Sequence, residues 1–157
     1  MLVRRFIYTF LVSMIPAIEI KGAIPFGIAL GVPAPAAFAA ALCGSSLVAC
    51  FLAFFTHWFY EACRRRHLFP HFTGWMGKIT AKHQDSFQRF GPLAIFAYVA
   101  VPVPGTGTWT GAIIAGVFNL KPKSILLSVF CGNVVSGLIV TLVGNGLVGM
   151  AKSIFIQ

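Results

Sequence analysis

At 157 residues the chain has room for one domain, and with 58% hydrophobic and 10% charged residues it falls outside the range of water-soluble globular proteins. A net charge of +9 would suit nucleic acid, but the basic residues gather in one loop between apolar stretches, so the positive-inside rule accounts for them and a nucleic-acid partner is excluded.

From the N-terminus, Arg4 and Arg5 precede an apolar run with no small-residue cleavage site, so no signal peptide is expected. That run, Phe6 to Pro35, is interrupted by prolines and glycines and reads as two short helices, Phe6–Ile18 and Ala23–Leu30, with a polar break between Pro16 and Pro25. A helix of Phe6–Ile18 rises only about 20 Å, short of a ~30 Å hydrocarbon core, so neither piece crosses alone. The next stretch, Ala36–Tyr60, is apolar and long enough to cross.

Between about residues 61 and 90 lies a basic connector with Arg64, Arg65, Arg66, Lys78, Lys82 and Arg89. Phe72, Trp75 or Met76, Ile79, His83, Phe87 and Phe90 recur at helical spacing, opposite Lys78, Lys82, Asp85 and Arg89, which predicts an amphipathic helix lying on the cytoplasmic leaflet. His67 and His71 are four apart but Pro70 lies between them, so no metal pair is read there.

The second half repeats the first. Gly91 to Leu120 is broken at Pro102–Gly107, and Ser124–Met150 is a second full span. Gly22-Ala23-Ile24, Pro33 and Cys43-Gly44 match Gly111-Ala112-Ile113, Pro122 and Cys131-Gly132 at an offset of 88 or 89 residues, and Pro16 matches Pro104. The chain thus divides into repeat 1 (about 4–60), connector (61–90) and repeat 2 (91–151) within a single membrane domain, 1–157. Each short pair forms either one kinked span, making the halves parallel, or a re-entrant hairpin, making them inverted. The Pro-rich stretch 102–107 suits a hairpin tip, which favours inversion. The predicted fold is therefore an all-α integral membrane protein of two inverted repeats, each a re-entrant helical hairpin followed by a transmembrane helix, with an amphipathic interfacial helix between them.

Of three acidic residues, Glu19 alone falls at membrane depth, with Lys21 two residues on, and such groups usually line a bundle interior or a hydrated cavity. Their competing role is structural, pairing with each other or capping freed helix ends. The facing segment Val101-Pro102-Val103-Pro104-Gly105-Thr106-Gly107-Thr108-Trp109-Thr110-Gly111 brings threonine hydroxyls and unpaired backbone groups, which suit a cation through carbonyls or an anion through N–H groups. Candidate substrate- or ion-binding residues are Glu19, Lys21, Pro25, Pro102, Pro104, Gly105, Thr106, Gly107, Thr108, Trp109 and Thr110. Asn133 and Asn145 read as helix glue, and Cys43, Cys50, Cys63 and Cys131, without C-x-x-C spacing, as small packing residues. No nucleophile–base pair, phosphate loop or metal cluster is legible, so neither an enzyme nor a cofactor is expected.

Glu19-Ile20-Lys21-Gly22-Ala23-Ile24-Pro25 and Pro102-Val103-Pro104-Gly105-Thr106-Gly107-Thr108-Trp109-Thr110-Gly111 resemble the paired signatures of the small multidrug export protein family, across nearly the whole chain. That resemblance implies a transporter distantly related to the DedA (VTT) superfamily, whose two re-entrant hairpins face one another in inverted repeat. Aligning Pro102 with the DedA proline places Val99 and Gly105 where arginines would stand, which removes the partners of a phosphate-bearing lipid.

The leading expectation is a multi-pass inner-membrane secondary transporter or exporter of small solutes, proton- or ion-coupled through Glu19, with a midplane site between the hairpins. The alternatives are a lipid or lipid-carrier translocase and a non-transporting membrane scaffold. Membrane lipids and a small solute or ion are the expected partners. Two crossings and two hairpins enclose little, so a homodimer is expected.

Overall fold

A computed structural model describes residues 1–65, 74, 86, 89–103, 106–118 and 120–155. The described residues form helices α1 (Leu2–Val12), α2 (Glu19–Ala29), α3 (Ala34–Arg65), α4 (Arg89–Ala100), α5 (Thr108–Val117) and α6 (Pro122–Phe155), and no strand. Two short helices and one long helix thus follow one another twice. The amphipathic helix expected over Phe72–Phe90 lies almost wholly outside the described residues, of which Gly74, Ser86, Arg89 and Phe90 are helical.

The ends of the short helices follow from their sequence. At the end of α2, Gly31 takes the left-handed φ of 82°, its N–H donates to Ile28 O, and Val32 N–H donates to Gly27 O, a complete Schellman stop followed by Pro33. At the end of α5, Leu120 N–H donates to Ala115 O in the same way, and Pro122 opens α6. Val32 and Leu120, 88 residues apart, are both buried.

Each short pair folds back on itself. A Cβ on Gly27 would touch Thr9, and one on Gly31 would touch Arg5, so α1 and α2 run antiparallel. A Cβ on Gly111 would touch Val99 and one on Gly91 would touch Leu120, and α4 and α5 are likewise antiparallel. In both halves the long helix receives its first short helix at a glycine: Gly44 faces Phe10 O and Ser13, and Gly132 faces Phe96 O and Val99. Small residues at these crossings let backbones approach closely, the usual contact in lipid, where burial alone drives little association.

The halves then pack crosswise, α2 on α6 and α5 on α3. Ile20 lies against Gly137 and Ile28 against Gly144, so α2 and α6 run in the same direction, while α3, turning back after Gly31, runs opposite to both. One core joins Val48 and Leu52 of α3 to Val99, Ala112, Ile125 and Val129, and a second surrounds Ile20 and Ile24 of α2.

Ala34–Thr56 and Pro122–Gly144 are long and apolar enough to cross a membrane, and only 44% and 39% of their most apolar windows are buried within the chain. A core helix of a soluble protein would be mostly covered. Instead Phe51, Trp58, Leu127 and Leu142 are all more than 60% exposed, a surface that demands lipid or another apolar partner. The chain is a membrane protein.

The helix limits differ from those the hydropathy implied. α1 starts at Leu2 and stops at Val12, and α2 begins at Glu19 itself, so the first break spans residues 13–18 and Pro25 lies inside α2. The charges of Glu19 and Lys21 lower the hydropathy of α2 without interrupting its backbone.

Candidate functional site

The first break is held by its own turns and by α3. Ser13 N–H donates to Thr9 O and its hydroxyl to Phe10 O, while Ser45 of α3 donates to Ser13 O. Beyond Pro16 the backbone is forced into the left-handed region at two residues that are not glycine, Ala17 (φ 75°) and Glu19 (φ 49°). Such positions cost of order 1–3 kcal/mol and persist only where the surroundings hold them.

What holds Glu19 is the second break. Glu19 is 4% exposed and its Oε1 accepts the Trp109 N–H at 3.1 Å. Trp109 is in the first turn of α5, whose N-cap Gly107 has no side chain to satisfy the free N–H groups there. Glu19 therefore caps α5 from another helix, its negative charge meeting the positive end of the helix dipole. Gly107 is required by this contact: a Cβ there would overlap the Glu19 carboxylate. The Gly107 N–H is satisfied locally by Thr110 Oγ1 at 3.1 Å. The Trp109 indole Nε1 donates in the other direction, to Met14 O at 3.2 Å, so α5 grips both ends of the first break.

Lys21, one helical position beyond Ile20, turns to the loop that precedes α5. Its Nζ donates to Thr106 O (2.6 Å), Val101 O (2.8 Å), Thr106 Oγ1 (2.9 Å) and Val103 O (3.1 Å). Glu19 and Lys21 make no ion pair within 4.0 Å of each other, as Arg65 and Glu61 do. Each charge in the first turn of α2 is matched by backbone in or just before the first turn of α5.

Behind α5, the buried Thr108 hydroxyl accepts from Asn133 Nδ2 at 2.8 Å, tying α6 to the same place. Asn133 Oδ1 and, one turn on, Ser136 Oγ are buried without a partner.

Of the residues marked from sequence, Glu19, Lys21, Thr106, Gly107, Thr108, Trp109 and Thr110 come together. Pro25 is exposed on α2, Pro102 is exposed between two of the carbonyls that face Lys21, and Pro104 and Gly105 lie outside the described residues. The partners not foreseen are the carbonyls of Met14, Val101 and Val103, and the Asn133 amide. Main-chain oxygens carry no signature in residue type, and Asn133 was legible only as a polar group in an apolar span. An apolar cavity of about 410 Å³ lined by Phe90, Ala94, Ile114, Phe118 and Leu120 lies between α4 and α5, and no residue of the two breaks lines it.

Residues 19–139 match the family model described as "Putative small multi-drug export protein". The match opens at Glu19 and includes every described residue of the second break. No curated protein and no solved structure matches the chain.

Proposed function

The chain belongs to this small multi-drug export protein family, and on that footing we propose that it is a multi-pass inner-membrane secondary transporter that exports a small solute, driven by a proton or cation bound at Glu19. The observation that carries the reading is the join of the two breaks: a carboxylate and an ammonium from one meet only main-chain groups and one hydroxyl of the other. Satisfying broken helix ends with a titratable group makes their geometry depend on that group's protonation, which is what coupling requires. The main-chain N–H and carbonyls then change partners without leaving hydrocarbon-facing groups bare.

In this reading α1–α2 and α4–α5 are re-entrant hairpins whose tips meet near the bilayer midplane, and the halves are inverted repeats. Three features support it. The short helices are folded back rather than stacked, and α3 and α6, equivalent in the two halves, run in opposite directions. The contact of Ile28 with Gly144 becomes that of Gly116 with Thr56 when 88 is added to the first member and subtracted from the second. Glu19 and Gly107, also 88 apart, touch each other, as residues on a two-fold axis must. The exposed faces of α3 and α6 are assigned to lipid and to a second copy of the chain.

A non-transporting scaffold is the second reading, favoured by the fact that both charges are already hydrogen-bonded. Flux separates the two. Protein reconstituted in vesicles under an imposed proton or sodium gradient is expected to move a solute from a panel of inorganic cations, amines and amphipathic cations. Tight vesicles with no gradient-driven flux for any of them would leave the scaffold.

A further inference from the structure

We propose that the carbonyls of Val101, Val103 and Thr106, with the Thr106 hydroxyl, form a binding cage for a dehydrated monovalent cation of the size of ammonium or potassium, or for the head of a primary amine, and that Lys21 fills it as a tethered stand-in. Where the proposed transport holds, this deepens it by naming the cargo as a small cation. The binding claim itself needs no flux.

Four oxygens surround Lys21 Nζ at 2.6–3.1 Å, and an ammonium has only three protons to give. The arrangement is a coordination shell more than a set of paired hydrogen bonds. It is also built without Lys21. Val103 N–H donates to Val101 O at 2.9 Å and Thr106 N–H to Val103 O at 3.3 Å, so the backbone's own bonds hold Val101, Val103 and Thr106 beside one another. The Thr106 hydroxyl lies 3.0 Å from Val101 O and 2.9 Å from Val103 O, so its single proton goes to one of those carbonyls and its lone pairs are left for the cation.

All four ligands are neutral oxygens, as in carbonyl filters that replace a hydration shell. Their spacing is too wide for Mg²⁺, which requires about 2.0–2.1 Å. Glu19, two residues before Lys21, supplies the nearby negative charge. Lys21 is only half-buried, so its flexible stem can withdraw from the four oxygens. A cationic solute and Lys21 thus compete for one cage, which takes the solute when Lys21 leaves and expels it when Lys21 returns.

The test is thermal unfolding of purified Lys21→Ala in detergent, against ammonium, methylammonium and potassium chlorides, with choline chloride at equal ionic strength as control. For the variant, at least one of the three small cations is expected to raise Tm saturably, by roughly 3–5 °C at about tenfold above its Kd. Choline should not, and wild type, its cage occupied, should not respond in the same range. Adding Thr106→Val should remove most of the response. A folded Lys21→Ala with one Tm in all four salts, or wild type and variant responding alike, overturns the proposal. If Lys21→Ala does not survive extraction, Lys21→Met keeps the stem's packing and takes its place. If that also fails, extraction in methylammonium chloride should recover folded protein and choline chloride should not; no recovery in either overturns the cage. Because binding is read without flux, this result and that of the transport assay are independent.

Discussion

Replacing Gly107 with alanine should uncouple the two breaks, and the size of the effect follows from the geometry. At φ −125° and ψ −157° Gly107 is extended, a conformation alanine adopts without strain, so the backbone contributes no penalty. The new methyl group instead overlaps the Glu19 carboxylate, which must leave the Trp109 N–H it accepts at 3.1 Å. A hydrogen bond to a charged group contributes about 1.5–3 kcal/mol. A carboxylate only 4% exposed, left without its donor, brings the loss toward the roughly 3–5 kcal/mol of a broken buried pair. In a Glu19→Ala background the three carboxyl atoms nearest that methyl are gone, so Gly107→Ala should cost less there, about 1 kcal/mol or under. The assay is a double-mutant cycle on unfolding in mixed micelles, with an expected coupling of about 2–4 kcal/mol. Equal costs for Gly107→Ala in both backgrounds, within about 0.5 kcal/mol, would refute the contact and the trans cap with it.

Two further outcomes bear on the fold. Gly44→Ala places its methyl 2.5 Å from the Phe10 carbonyl oxygen, a backbone atom that cannot rotate away, whereas Gly132→Ala meets chiefly the Val99 side chain; both should destabilise, Gly44→Ala by about 2–3 kcal/mol and Gly132→Ala by less, as unfolding in micelles would show. With native cysteines replaced, cysteines at Arg4 and Lys152 should react with an impermeant thiol reagent from outside intact cells and one at Lys78 should not, and labelling of both termini only after permeabilisation would rule out inversion.

The order of short, short and long helices was legible in each half, because prolines and glycines interrupt the apolar sequence where short helices end. Gly31-Val32-Pro33 shows how directly: the left-handed glycine, the buried hydrophobe after it and the proline that opens the next helix are all in the residue types. Gly44 and Gly132, which the sequence sets 88 residues apart, each face a backbone carbonyl of a short helix, where a larger residue would not fit. The position of the first break was not legible. Pro25 sits inside α2, and the real interruption is marked by left-handed Ala17 and Glu19, which no propensity favours. Nor did the sequence show that Glu19 and Lys21 find their hydrogen-bond partners in the second break rather than in each other. Their adjacency suggested a pair, but the second break offers each a better partner in its own backbone, and a backbone partner has no side chain to announce it.

The most direct test of the account is gradient-driven flux through reconstituted Glu19→Gln, measured beside its thermal stability in detergent. Glutamine keeps an Oε1 to accept from Trp109 N–H, so the variant should fold, at a cost of roughly 1–2 kcal/mol for the lost charge at the helix end. It can no longer exchange a proton or hold a cation by charge, so driven flux should fall to that of empty vesicles. A folded Glu19→Gln that transports like wild type would contradict the claim that Glu19 couples the two breaks to transport.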